Sequence, residues 1–179
     1  MSRLGLEYYQ QPAMTLAPAL LGAVLVRRFR GREHRVRIVE TEAYVGAHDL
    51  ACHASKGRTT RTETMFASGG RTYVYLIYGM YHMLNIVASG EGDPQAVLLR
   101  GAVSLEDEKL DLIGPGKLAR HLHITRVHNN LLLDGDAIYL EADAGYRPQV
   151  SVTRRIGIDY AKEWKDELLR FIDVKHVIR

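Results

Sequence analysis

Cysteine is nearly missing. Cys52 stands alone among 179 residues, which excludes an intramolecular disulfide and a cysteine-rich metal site. Long apolar runs are missing as well: nothing approaches the roughly 20 residues a helix needs to cross a bilayer. The N-terminus, MSRLGLEYYQQ, has no apolar centre of the signal-peptide kind. Neither sign of charge dominates, since 24 Lys and Arg against 21 Asp and Glu leave a formal charge of +3. The hydrophobic and charged fractions, 46% and 25%, exclude disordered and collagen-like classes. No repeat or low-complexity linker divides the chain, so one domain over residues 1–179 is expected. Its default location is the cytoplasm, with no membrane association.

Tryptophan occurs once and phenylalanine three times, so the aromatic content is mostly tyrosine, of which there are ten. Tyr73, Tyr75, Tyr78 and Tyr81 fall within the single stretch YVYLIYGMYHMLN. A core strand normally uses Val, Ile and Leu, because a buried phenol must also find a hydrogen-bond partner. The stretch reads as a hairpin, residues 72–77 against 80–88 around Tyr78-Gly79, where glycine supplies the positive φ of a tight turn. Tyr73 and Tyr75 share a face and Tyr78 falls at the tip. Core packing is one reading of these rings. The other is stacking: a ring at a hairpin tip can enter the gap left by an extruded nucleotide, and Tyr44 with Tyr75 can bracket a flat base.

Positive charge is local. Arg27, Arg28, Arg30, Arg32, Arg35 and Arg37 form one cluster, Lys56, Arg58 and Arg61 a second, and Arg154 with Arg155 a third. Such groups occur both on solvated strand faces and where a phosphate backbone is bound, and charge alone does not choose between them.

The hydrophobic pattern predicts a helix over 15–21 capped by Thr15, then strands over 23–29 and 34–44. Strict alternation would put Val36, Ile38, Glu40, Glu42 and Tyr44 on one face, an odd mixture of apolar and acidic side chains. A long loop over 45–61 and a helical turn over 62–67 precede the hairpin. Strands are expected over 96–103, 137–142, 152–158 and 168–172, with helices over 117–123 and 159–166. The fold class is α+β: one mixed domain on a curved, largely antiparallel sheet with flanking helices and a protruding hairpin.

Glu42 is the first candidate for chemistry. A carboxylate on a half-buried face can activate water as a general base, and it can equally pair with an arginine; Glu40 competes for either role. His48 and His53 flank Cys52, while His121, His123 and His128 lie close together. A metal would need three or four converging ligands, and His121 and His123 would point apart on a helix, so no metal is expected. His53 reads as ligand-facing or structural. GPGK, residues 114–117, fails the phosphate-loop pattern because Leu118 follows the lysine, although a helix start with Lys117 can hold one phosphate.

The blocks RIVETEAYVG, His53, MF, YVYLIYGMYHMLN, AVLLRG, GPGKL and RRIGIDYAKEW occur in one order. In that order they resemble the alkyladenine (3-methyladenine) DNA glycosylase family, the mammalian-type purine-excising enzymes, from about Leu20 to Phe171. The resemblance implies that Glu42 is the general base, that Arg100 helps hold the attacking water and that the Ile156 backbone carbonyl contacts it. It implies Tyr44 on one face of a flipped base, with His53 and Tyr75 on the other and the His53 backbone amide on the purine edge. Asn85 would exclude normal guanine. Tyr78 would be the DNA wedge, with Met80, Tyr81, Arg58 and Lys117 as further DNA contacts.

The implied activity is a monofunctional glycosylase needing neither metal nor organic cofactor. It would act as a monomer on double-stranded DNA containing damaged purines, in the bacterial nucleoid or the eukaryotic nucleus. Three departures stand out: a short segment between Leu105 and Gly114, His82 after Tyr81, and no proline in DELLRF. Two other readings compete, a non-catalytic module that binds damaged DNA and a hydrolase of free nucleosides.

Overall fold

The structure, a computed structural model, describes residues 1–177. Ten strands lie among the described residues: β1 Ser2–Arg3, β2 Val24–Phe29, β3 Arg32–Tyr44, β4 Thr72–Ile77, β5 Tyr81–Ala88, β6 Gln95–Ser104, β7 Leu112–Ile113, β8 Ile138–Ala142, β9 Val150–Thr153 and β10 Arg170–Asp173. Two α-helices, α1 Ala13–Ala19 and α2 Pro115–His121, join several short 3-10 turns. All strand pairs are antiparallel, in the order β1-β8-β2-β3-β6-β5-β4, with β10 pairing β3 and β9, and β7 pairing β6. The α+β class expected from the sequence is what is found. The order is open, with β1 and β4 at its ends.

The odd face of β3 has a structural answer. From Val36 to Ile38 the strand runs in step with β6, then Val39 and Arg100 each drop out of register around the Glu40–Gly101 pair, and the step resumes at Thr41. One irregularity on each strand restores the overall register but reverses the phase of both. Val36 and Ile38 therefore face the main core before it, and Ala43 does so after it. Glu40, Glu42 and Tyr44 turn to the opposite face instead of sharing one with Val36 and Ile38. The Arg100 carbonyl, freed from β3, accepts from the Gly114 N–H at 2.9 Å, which fixes α2 against β6.

The main core fills the other face. Leu16, Leu25, Leu84, Ile86, Leu99, Leu118 and Leu122 pack there beneath the helices. Thr41 reaches into it, its hydroxyl donating to the Ala17 carbonyl of α1 at 2.9 Å. Burying these side chains stabilises the sheet by roughly 1.5–3 kcal/mol each, and leaves the opposite face free to be polar.

Three further expectations are corrected. α1 begins at Ala13, so Thr15 lies inside it; Pro12 is its cap, and the Ala13 N–H donates to the Gln95 side chain at 2.8 Å. The strand expected over 152–158 ends at Thr153, and the chain leaves the sheet before Arg154. The helix expected over 159–166 is a kinked 3-10 segment, Asp159–Lys165, broken where Lys162 takes a φ of 51°.

Candidate active site

One row of directly opposed residues crosses six strands. Tyr73 faces Asn85, Asn85 faces Leu98, Leu98 faces Glu42, Glu42 faces Arg170, and Arg170 faces Thr153. Opposed residues in antiparallel strands project to the same side, so this row forms a floor. Above it lies a pocket of about 400 Å³ whose walls include Tyr44, His53, Tyr75, Tyr78, Asn85, Arg100 and Ile156. Residues spread over more than one hundred positions of the sequence are thus gathered around one space.

Glu42 is fully buried. Its Oε2 accepts from the Tyr44 hydroxyl at 2.9 Å, and its Oε1 accepts from the Ile156 backbone N–H at 2.8 Å. Arg100 Nε stands 3.5 Å from Oε1. Burial raises the carboxyl pKa above the ordinary value, opposed by the Arg100 charge and by the donors from Ile156 and Tyr44. The contact seen for Ile156 is made by its N–H; the role implied for its carbonyl stays a proposal.

The loop before the hairpin is ordered by a pair that sequence reasoning missed. Arg155 and Asp49 have no exposed side-chain surface and pair bidentately, Nη1 to Oδ2 at 2.5 Å and Nη2 to Oδ1 at 2.9 Å. Asp49 also accepts the N–H groups of Val45 and Ala51, while Arg155 donates to the Ala43 and Trp164 carbonyls. The Arg155 guanidinium lies over the Tyr44 ring, 4.9 Å from its centre. One ion pair thereby sets Tyr44, the loop from Val45 to Ala51, and the segment that brings Ile156 to Glu42.

His53 Nδ1 pairs with the Tyr73 hydroxyl at 3.0 Å, and its ring meets Tyr75 edge-on at 4.5 Å. Burial, helped by Arg61 and Lys56, pushes its pKa down to about 4, so the ring is neutral near pH 7. Asn85 is buried and donates its amide to the Tyr73 carbonyl at 3.0 Å. Tyr44, Tyr73 and Tyr75 all line the pocket, and Tyr73 is in addition a buried phenol satisfied by His53.

Tyr78 is different. It is 83% exposed at the β4–β5 turn, with its own φ at 51° and that of Gly79 at 70°; Met80 N–H closes the turn onto Ile77 C=O at 3.2 Å. A bulky residue in the left-handed region is uncommon. Met80 is also exposed and Tyr81 partly so. Arg58 is paired with Glu63 and Lys117 with Asp111, all well exposed; such pairs contribute only about 0–1 kcal/mol and exchange readily for other anions. Sequence reasoning also passed over Tyr160, which lines the pocket, and used Arg61 only as part of a charge cluster; its guanidinium sits 5.5 Å from the Tyr75 ring centre.

The first arginine cluster lies elsewhere and is largely consumed by its own neighbours. Arg28 pairs with Glu33, Arg35 with Glu33 and Glu141, and Arg37 with Asp143. Three of its six arginines are thus paired with carboxylates of their own sheet region. Among the described residues no group of three or more His, Cys, Asp or Glu side chains is arranged to hold a metal ion. His123 stacks on Phe29, and His34 meets His121 edge-on.

A family model for methylpurine-DNA glycosylase matches residues 7–176. This chain belongs to that family. Curated members with similar sequences are each provisionally named a 3-methyladenine DNA glycosylase. One from Myxococcus xanthus is 45% identical over 179 residues, covering 96% of this chain and 91% of its own. One from Legionella pneumophila (strain Corby) is 42% identical, covering 96% and 94%, and one from Clostridium perfringens (strain SM101) is 40% identical, covering 94% of each. The match to the methylpurine-DNA glycosylase family spans every strand of the pocket floor.

Proposed function

We propose that this protein removes alkylated or deaminated purines from duplex DNA by hydrolysing the N-glycosidic bond, leaving an abasic site for base-excision repair. The observation that carries the reading is Glu42: a fully buried carboxylate directly behind the wall of an aromatic pocket, hydrogen-bonded to the wall residues Tyr44 and Ile156 and 3.5 Å from a third, Arg100.

Breaking the bond from C1′ to a purine nitrogen builds positive charge on the sugar. An ionised Glu42 stabilises that charge and takes a proton from the attacking water. A carboxylate offers about four lone-pair sites, so Glu42 retains acceptor capacity beyond the Tyr44 and Ile156 donors. An alkylated purine is already cationic and departs without a strong acid. No lysine is among the residues lining the pocket, which supports water as nucleophile and a monofunctional reaction.

The same reading assigns the pocket walls. Tyr44 takes one face of the flipped base, with His53 and Tyr75 on the other, each stacked ring contributing about 1–3 kcal/mol. The His53 backbone amide reads the purine edge, and Asn85 excludes guanine by crowding its exocyclic amine. Tyr78 fills the vacated stack, with Met80 and Tyr81 beside it. Arg58 and Lys117 exchange their carboxylate partners for phosphates. The enzyme works as a monomer where the chromosome lies, in the bacterial cytoplasm or the eukaryotic nucleus.

Duplex oligonucleotides carrying hypoxanthine, ethenoadenine or a methylated purine test this. Release of the free base, with strand breaks only after alkali, is expected. Tight binding without release would make the protein a damage-binding module. Breaks before alkali would contradict the water nucleophile.

A further inference from the structure

We infer that Glu40, anchored by Arg170, is a positioning residue that draws the Arg100 guanidinium away from Glu42 and so keeps the Glu42 carboxylate open to water. The inference rests on reading Glu42 as the base.

Glu40 and Arg170 are buried, at 2% and 6% exposure. A single oxygen, Glu40 Oε1, accepts from Arg170 Nε at 2.6 Å and from Arg100 Nε at 3.1 Å. The same Arg100 Nε is 3.5 Å from Glu42 Oε1. Two carboxylates therefore compete for one N–H, and Glu40 holds it more closely. Arg170 is itself fixed: it lies opposite Glu42 in the β10–β3 pair, and its Nη1 donates to the Thr153 hydroxyl at 3.2 Å.

The backbone is shaped for this. The irregularity at Val39 and Arg100 sets Glu40 directly opposite Gly101. A Cβ at residue 101 would come within 3.1 Å of Glu40 Oε2 and 3.2 Å of Glu40 Cβ, so glycine leaves the room that the Glu40 side chain occupies. Without the Glu40 charge, Glu42 would face both guanidinium groups alone. Arg100, now 3.5 Å away, would then close to hydrogen-bond distance, occupying an acceptor site, and the loss of the neighbouring like charge would add to the lowering of Glu42's basicity.

The test is single-turnover base release at saturating enzyme, from about pH 5 to pH 8, with lesion-duplex binding measured alongside. Glu40→Gln keeps the size and removes the charge. Its maximal rate is expected to fall roughly 10- to 100-fold, with Kd held within about twofold. Its acid limb should move down by about one pH unit, because Glu42 ionises more easily. A structural defect would lower the rate without moving that limb. Glu40→Asp, which retains the charge, should return the limb toward wild type.

Gly101→Ala displaces Glu40 without changing any charge, and should slow release while sparing binding. An unchanged acid limb in folded Glu40→Gln overturns the inference. Where that variant does not fold, a wild-type rate in Gly101→Ala overturns it. Absence of release by wild type, or full activity in Glu42→Gln, overturns instead the reading of Glu42 beneath it.

Discussion

The two ends of the pocket are built on opposite terms. At the Glu42 end both carboxylate oxygens have donors, the arginine nearby is shared with a second carboxylate, and a buried ion pair holds the flanking loop. At the hairpin tip, Tyr78 lies 83% exposed on a left-handed backbone. The first end is organised before any substrate arrives, which is what electrostatic stabilisation of a developing charge requires. The second is left uncovered by the rest of the fold, as suits a group that acts only on a partner. Changes at the first end should therefore damage fold and rate together; changes at the second should damage binding alone.

The largest test of that contrast is Asp49→Asn. It leaves Arg155 buried without its charge partner, and should cost about 3–5 kcal/mol of stability in chemical denaturation. A loss within experimental error would mean that the loop does not depend on the pair. Next comes Tyr78→Gly. Lesion-duplex binding should weaken by about 1–3 kcal/mol, while the free protein gains up to about 1 kcal/mol, because glycine takes a positive φ without strain. Binding and stability moving the same way would break the comparison.

A smaller effect separates His53 from both ends. Its ring stays neutral in the fold down to about pH 4, whereas an unfolded histidine takes a proton near pH 6.5. The unfolded state then binds more protons between those values, so stability is present above about pH 6.5 and is lost as the pH falls toward 4. His53→Gln should flatten that part of the stability curve by about 1–3 kcal/mol. An unaltered slope would show that His53 titrates normally.

Much of the fold could be read from residue patterns, because the signals were local. The hairpin of β4 and β5 appears with its Tyr78-Gly79 turn, and its second strand begins one residue later than expected. Local signals could not reveal the reversed phase of β3, since the irregularity at Val39 depends on a matching one at Arg100 in another strand. The Glu42 and Tyr44 assignments came through the family resemblance; the structure brings Tyr44, Arg100 and Ile156 into one pocket and sets Glu42 in contact with all three from beneath its wall. Asp49 and Arg155 escaped because 106 positions separate them, and nothing in either neighbourhood advertises the other. The first arginine cluster stayed open between two readings for a related reason: its carboxylates at Glu141 and Asp143 are supplied from elsewhere in the chain.

The measurement closest to the central claim is single-turnover release of ethenoadenine by Glu42→Gln at saturating enzyme, with lesion-duplex Kd determined on the same preparation. The account predicts a rate reduced by about 10²–10⁴-fold and a Kd near that of wild type. A variant that binds and still releases base at close to the wild-type rate would contradict it.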